Sequence, residues 1–272
     1  VTGSDHVIRA AVPYAAPMTV RPRFHANDHS RDVLEIERRW MQVANGRAAE
    51  PPPALERDGF EIVRHRSAIE DFRDPAAGER HVDEIRQLLL EVSGADAVTV
   101  TPRGVLRFSE RSPDSGRFDN SRPARFVHVD VSDATAAVFA AQANPRPERR
   151  ILRFCQYNVW RVLSPPPQDA PLAVCDARTV EPSDLVPADA VFDVREAPEW
   201  TFEALVVLGN PRHRWVYFRD MTRDEVLVFK TNDSDQSRSH CVPHVAVDDT
   251  GCPPDTPPRV SIEMRGTAYW YE

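Results

Sequence analysis

The sequence predicts a mainly β protein, a sandwich or barrel decorated by helices. Three observations carry this. There are 25 Pro against 10 Gly in 272 residues, and proline is tolerated at loops and strand edges but costly inside helices. Short Val-rich runs of period two recur from residue 97 onward, separated by Pro-rich turns. Only two stretches carry an apolar stripe at helical spacing. The apolar share of 41% and charged share of 28% are those of a globular chain long enough to bury a core, which excludes wholesale disorder, collagen and coiled coil.

Taken in order, residues 1 to about 60 read as irregular, with one helix near Arg31 to Val43 on which Val33 or Leu34, Ile36 and Trp40 recur at helical spacing. Pro51-Pro52-Pro53 ends anything before it. Asp58 to His65 reads as a short strand. A second helix is expected over Gly78 to Val92, where Ile85, Leu88, Leu89 and Val92 form a stripe. Period two then takes over at Ala97 to Val100, Val105 to Phe108, Ala124 to Val131, Ile151 to Leu163, Ala204 to Leu208, Trp215 to Phe218, Glu225 to Lys230 and Val260 to Tyr271. With no repeat and no long linker, residues 1–272 read as one domain: a helical N-terminal extension over 1–95 and a β core over 96–272.

Charge and cysteines narrow the function. A net charge of −8 lacks the basic face that nucleic acid requires. No apolar run approaches the length of a membrane span. Cys155, Cys175, Cys241 and Cys252 include no C-x-x-C pair, so free thiols in a reducing compartment are expected. The N-terminus lacks a charged start followed by an apolar stretch, so a cytoplasmic protein is expected. No G-x-S-x-G, G-x-G-x-x-G or P-loop supports a hydrolase or nucleotide enzyme.

Two H-V-D triplets are the sharpest signal. On a helix, residues i and i+2 point about 200° apart. His81 and Asp83, which open the second helix, therefore cannot share a metal and should be solvated. On a strand the same spacing puts both side chains on one face. His128 and Asp130 lie in Ala-Arg-Phe-Val-His-Val-Asp-Val, with Val127, Val129 and Val131 facing the other way. That pair is either a buried His–Asp hydrogen bond or two ligands of a two-His-one-carboxylate iron site. The third ligand must come from His213, His240 or His244. His244 is favoured because Arg259-Val260-Ser261 follows it, and an R-x-S on a strand aims a guanidinium and a hydroxyl at one carboxylate. His240, in Ser-Arg-Ser-His, is the rival. Arg107-Phe108-Ser109 is a second R-x-S, but it precedes the H-x-D.

The stretches Val127 to Asp130, Tyr157-Asn158-Val159-Trp160-Arg161, Pro171 to Asp176, Arg214 to Phe218, Asp224 to Lys230, Asp233-Ser234, Pro243-His244 and Arg259 to Arg265 together resemble the gibberellin-desaturase-like and aspergillic-acid-hydroxylase-like non-haem iron oxygenases. That family includes the small component of the cephamycin 7α-methoxylation system. The resemblance runs from about residue 97 to the end. It implies a double-stranded β-helix (jelly-roll, cupin-like) using Fe(II), 2-oxoglutarate and dioxygen. His128, Asp130 and His244 would hold the metal, and Arg259 and Ser261 the cosubstrate. Asn158 would contact cosubstrate or substrate. The expected activity is hydroxylation, desaturation or cyclisation of a small natural product. The alternative is a non-catalytic or metal-only partner subunit, because the cephamycin relative works beside a methyltransferase-like protein; a homodimer or a tailoring-enzyme partner is the expectation for assembly. Lys230 reads as an exposed strand end, Trp215, Tyr217 and Phe218 as core, and Cys155 as buried and inert.

Overall fold

The computed structural model describes residues 7–74, 77–194 and 198–272. Among the described residues, fifteen strands form two sheets, as expected for a jelly-roll. The larger is ordered β1 (Val7–Ala15), β3 (Ile36–Asn45), β12 (Trp215–Tyr217), β9 (Leu172–Cys175), β14 (His244–Ala246), β7 (His128–Val129), β11 (Trp200–Val207), β10 (Leu185–Phe192), β2 (Arg23–His25). The smaller is ordered β4 (Phe60–Arg64), β13 (Glu225–Asp233), β8 (Ile151–Val162), β15 (Val260–Tyr271), β5 (Ala97–Val100), with β6 (Val105–Phe108) also pairing with β15. Pairing is antiparallel except at β2–β10 and β3–β12. No described helix is long and apolar enough to cross a membrane.

Alternation along β8 and β15 separates two jobs. Cys155, Tyr157, Val159, Met264 and Ala268 pack in one apolar cluster with Ile85, Leu88 and Leu89 of α1 (Gly78–Ser93). Their neighbours in sequence point the other way, toward the larger sheet. Register sets Asn158 opposite Arg265, Trp160 opposite Glu263 and Val162 opposite Ser261. Trp160, Val162, Leu227 and Phe229 then meet Val174 and Val242, which closes the space between the sheets. Helix α1 stops at Gly94, whose φ of 63° is a left-handed cap.

The N-terminal third differs from expectation. The helix expected over 31–43 does not form: Arg31 only ends a short 3-10 turn (His29–Arg31), and Ile36–Asn45 is a strand paired with Val7–Ala15 inside the larger sheet. Ile36 and Trp40 are four apart, a spacing that satisfies period two as well as period 3.6, and long-range pairing decides between them. Residues 1–60 are therefore not an irregular, helical extension where they are described. Only His128–Val129 of the expected strand Ala124 to Val131 enters the ladder. Besides the N-terminal strands, four elements escaped the pattern: β9, β10, β14, and α2 (Asp133–Gln142), an Ala-rich helix without an apolar stripe. Its signal was the Ser132 N-cap, whose hydroxyl accepts from the Thr135 amide.

His81 is buried against Phe72 rather than solvated, because the helix turns its first apolar face inward; Asp83 stays outside beside Arg86. Lys230 is likewise fully buried, since β13 continues to Asp233, and its ammonium is neutralised by Asp233 and Glu56. Trp215, Tyr217, Phe218 and Cys155 are core, and burial raises the Cys155 thiol far above its ordinary value.

Gly266 tests how α1 seats on β15. A Cβ there would lie 2.4 Å from Leu89 Cδ1 and 3.2 Å from the Thr99 carbonyl. Gly266→Ala should cost about 1–3 kcal/mol by overpacking, read as a lower urea midpoint with an unchanged slope.

Candidate metal centre

His128 and His244 are cross-strand partners on β7 and β14, so their side chains rise side by side from one face of the larger sheet. Their ring centroids are 4.3 Å apart. Asp130, two residues beyond His128 and just past the end of β7, brings its carboxylate to the same two rings. Asp130 Oδ1 lies 3.5 Å from Nε2 of each imidazole. One ligand atom from each residue falls within 4.8 Å of the others. Two cis ligands on bonds of about 2.1 Å sit about 3 Å apart, so this spacing needs little adjustment to close on one ion.

The proton positions are the informative part. His128 Nδ1 donates to the Phe126 carbonyl at 3.0 Å, and His244 Nδ1 donates to the Val242 carbonyl at 3.2 Å. Each ring thereby spends its one neutral-form proton on backbone and turns an Nε2 lone pair toward Asp130. Burial and the neighbouring His244 push the His128 imidazole below its ordinary value, which favours the neutral form. Burial pushes the Asp130 carboxyl up, but the Arg265 guanidinium outweighs it and holds the group well below the ordinary carboxylate range. With both rings in the neutral form, three buried acceptors converge with no proton between them. That arrangement is repulsive on its own and favourable around a cation. Neutral nitrogen and carboxylate oxygen donors, three in number on one side, suit a first-row divalent ion with open positions.

Asp130 Oδ2 is held from the opposite sheet. Arg265 Nε donates to it at 2.9 Å, and Asn158 Nδ2 lies 3.4 Å away. Asn158 is fully buried and its amide nitrogen faces Asp130; it lines neither cavity beside the ligands. Arg265 also pairs with Glu263, which in turn accepts from Arg107 Nε at 3.2 Å. Arg107, set aside by its order in the chain, therefore stands beside the centre, because β6 pairs with β15 and sets Arg107 opposite Ser261. Sequence showed that Arg259, Ser261, Glu263 and Arg265 share a face. It could not show which neighbour crosses to Asp130.

Arg259 is 2% exposed, bonds Ser261 Oγ through its guanidinium, and has no carboxylate on that guanidinium among the described residues. Burial, with Arg125 and Arg107 nearby, lowers it to about 10, so it remains charged. A buried, unneutralised guanidinium is costly unless an anion completes it. It lines a narrow cleft that also touches His128, His244, Trp160 and Glu263. The cleft volume is about 20 Å³, near that of one water, so the lining side chains must part to seat a keto diacid. A much larger cavity, about 550 Å³, opens on His128 and Asp130 from the other side.

The rival histidines are occupied elsewhere. His240 lies between the Asp233 carbonyl and Asp133, each at 2.7 Å. His213 is buried between Asp184 and the Tyr14 hydroxyl. His81 and Asp83 contribute nothing to the centre.

A family model described as "Oxidoreductase/YMDC permease-like domain" matches residues 11–269. The chain is 32% identical over 260 residues to the hydroxylase/desaturase CTB9 of Cercospora beticola, covering 87% of this chain and 78% of that protein. It is 30% identical over 227 residues to the Fe(II)/2-oxoglutarate-dependent dioxygenase nvfI of Aspergillus novofumigatus (strain IBT 16806), covering 77% and 78%. A solved structure titled as the iron and alpha-ketoglutarate-dependent endoperoxidase NvfI superposes with a TM-score of 0.84 at 24% identity, covering 100% of both chains, which speaks for the fold. Matched along most of its length by these relatives, the chain belongs to the Fe(II)/2-oxoglutarate-dependent oxygenase family.

Proposed function

We propose that His128, Asp130 and His244 hold Fe(II), that Arg259 with Ser261 anchors the far carboxylate of 2-oxoglutarate, and that residues 1–272 act as one oxygenase unit. The chain is an iron- and 2-oxoglutarate-dependent oxygenase acting on a small natural product; the reaction is hydroxylation, desaturation or ring formation on carbon. The observation that carries the site assignment is the convergence of two Nε2 lone pairs and one carboxylate oxygen with every ring proton spent on backbone.

Bound iron, with the keto acid and dioxygen, supplies the oxidant for hydrogen removal from carbon, with succinate and carbon dioxide released. The protein's part is positional. The Phe126 and Val242 carbonyls fix the tautomer of both imidazoles. Arg265 and Asn158 occupy Asp130 Oδ2, so only Oδ1 is free for the metal. Glu263 balances Arg265 and Arg107, while the buried Arg259 guanidinium has no carboxylate partner among the described residues. The largely apolar walls of the large cavity decide which C–H bond is presented. Asn158, expected to touch the cosubstrate, is read instead as a positioning residue for Asp130. A homodimer or tailoring-enzyme partner stays a separate expectation, read by mass in solution.

Asp130→Ala should abolish turnover and Fe(II) binding in anaerobic titration, while Asp83→Ala, on the exposed start of α1, should change neither. Arg265→Met should weaken iron binding by about tenfold to a hundredfold, the usual effect of losing a partner that orients a ligand.

Arg259→Ala should weaken 2-oxoglutarate binding by about a hundredfold or more, since a buried carboxylate without its cation costs about 3–5 kcal/mol at 1.4 kcal/mol per tenfold. Iron binding should survive. Arg259→Lys should recover part of the loss, because an ammonium cannot make the paired fork contact. Arg107→Ala, expected from chain order to be silent, should also raise the 2-oxoglutarate constant, because Arg107 lines the Arg259 cleft and neutralises Glu263. A constant unchanged in Arg259→Ala would reject its role.

A further inference from the structure

The large cavity is walled mostly by rings and aliphatic groups. Beside the metal ligands, Phe126 packs on His128 with centroids 5.1 Å apart, and on Phe24 at 4.8 Å. The outer wall is Phe139, Phe192, Trp200 and Phe202, brought together by α2, β10 and β11. Trp200 lies 4.8 Å from Phe202 and 5.6 Å from both Phe139 and Phe192. Such walls hold an apolar body without deciding which edge it turns toward the ligands; that takes a directional polar contact.

Strand β2 supplies one. His25, the neighbour of Phe24, is 3% exposed and lines the cavity. Its Nδ1 donates to Asp32 Oδ1 at 3.1 Å, and its backbone amide donates to the same oxygen at 2.7 Å. Oδ2 of Asp32 accepts from His29 Nδ1 at 3.2 Å. The 3-10 turn His29–Arg31 folds the chain back so that this carboxylate, seven residues on, reaches the ring. Asp32 thereby fixes the ring's plane and tautomer: in the neutral form the proton is on Nδ1 and Nε2 carries a lone pair. Nε2 has no hydrogen bond among the described residues. Apart from the metal ligands, His25 and His29 are the only imidazoles lining the cavity, and no carboxylate joins them. His29 stands at the rim, 42% exposed. Tyr157 also lines the cavity, but burial pushes its phenol far above its ordinary value, so it keeps its proton. Asp28, Asp193 and Glu199 lie within electrostatic reach of His25, and the cation among them, Arg31, is paired with Glu199. This acidic setting repels an anion and suits a neutral hydrogen-bond donor.

We propose that His25, oriented by Asp32, is a positioning residue of the large cavity: its Nε2 accepts a hydrogen bond from a hydroxyl on the substrate and so selects the edge presented to His128 and Asp130. Asp32 acts through His25, by holding the ring and strengthening Nε2 as an acceptor. The assignment rests on the oxygenase reading for the reaction it serves, but not for its test.

The probes are 2-naphthol, which can donate one hydrogen bond, and 2-methoxynaphthalene, which cannot. Each is titrated by its own fluorescence into the anaerobic Fe(II) protein with saturating 2-oxoglutarate, so that no turnover occurs. The naphthol should bind about tenfold tighter than the ether, the scale of one hydrogen bond to a carboxylate-backed acceptor. His25→Phe keeps a flat ring and removes the acceptor; it should abolish the difference and leave the affinity for the ether unchanged. Asp32→Asn should shrink the difference to about threefold, because a neutral amide supports the ring less strongly than a carboxylate. A further readout needs no variant to fold. In wild-type protein with isotope-labelled histidine and Zn(II) at the metal site, the His25 Nε2 resonance should move when naphthol binds and stay when the ether binds. Equal affinity for the two probes, no binding of either, a naphthol preference that survives His25→Phe, or an Nε2 resonance that naphthol leaves unmoved would each overturn the proposal. Succinate formation from 2-oxoglutarate by the wild-type protein reads the oxygenase assignment separately, so failure of one is not mistaken for failure of the other.

Discussion

Two imidazole lone pairs and one carboxylate oxygen meet in a buried space with no proton to share. Each ring proton is committed to a backbone carbonyl two residues earlier, and the second carboxylate oxygen is committed to Arg265 and Asn158. Rotating either ring would break a buried hydrogen bond, and releasing Asp130 would leave Arg265 with only Glu263. The repulsion is therefore held in place by the fold, and a cation is what relieves it. The two sheets exist at this spacing because Val174 and Val242 from one side pack on Trp160, Leu227 and Phe229 from the other; the centre sits at the edge of that apolar contact.

The charges on β15 follow the same logic. Strand alternation aims Arg259, Ser261, Glu263 and Arg265 at the larger sheet. Glu263 and Asp130 together carry the two negative charges that balance Arg107 and Arg265. A designer seeking stability alone would have balanced Arg259 as well, or replaced it with an apolar residue. An unbalanced, buried guanidinium a short way from three metal-ready ligands is what the proposed anchoring of a dianionic cosubstrate would complete.

Most of the centre was legible because strand periodicity is local. His128 and Asp130 share a face whatever the rest of the chain does, and helical periodicity excludes His81 with Asp83. His244 followed from the R-x-S after it, and the hydrogen bonds of His240 to Asp133 and the Asp233 carbonyl explain why the rival is spent elsewhere. What stayed hidden depends on pairing between distant strands. Arg107 seemed out of order until β6 was found opposite β15. Arg265 was visible on the right face, yet its bond to Asp130 crosses 135 residues. Ile36 and Trp40 fit both periods, so only pairing with Val7–Ala15 could make that segment a strand. Lys230 looked exposed because its partner Asp233 lay beyond the apparent strand end. The wall around Trp200 was invisible for the same reason, being built from three separate elements.

The central claim is that this centre holds iron and presents it to a keto acid bound by Arg259. It is tested most directly by titrating 2-oxoglutarate into the anaerobic Fe(II) protein and recording the visible spectrum. A weak metal-to-ligand charge-transfer band should appear in the wild type, saturate at one equivalent of bound iron, and be absent without the keto acid. Iron that binds stoichiometrically while 2-oxoglutarate produces no such band would contradict the account.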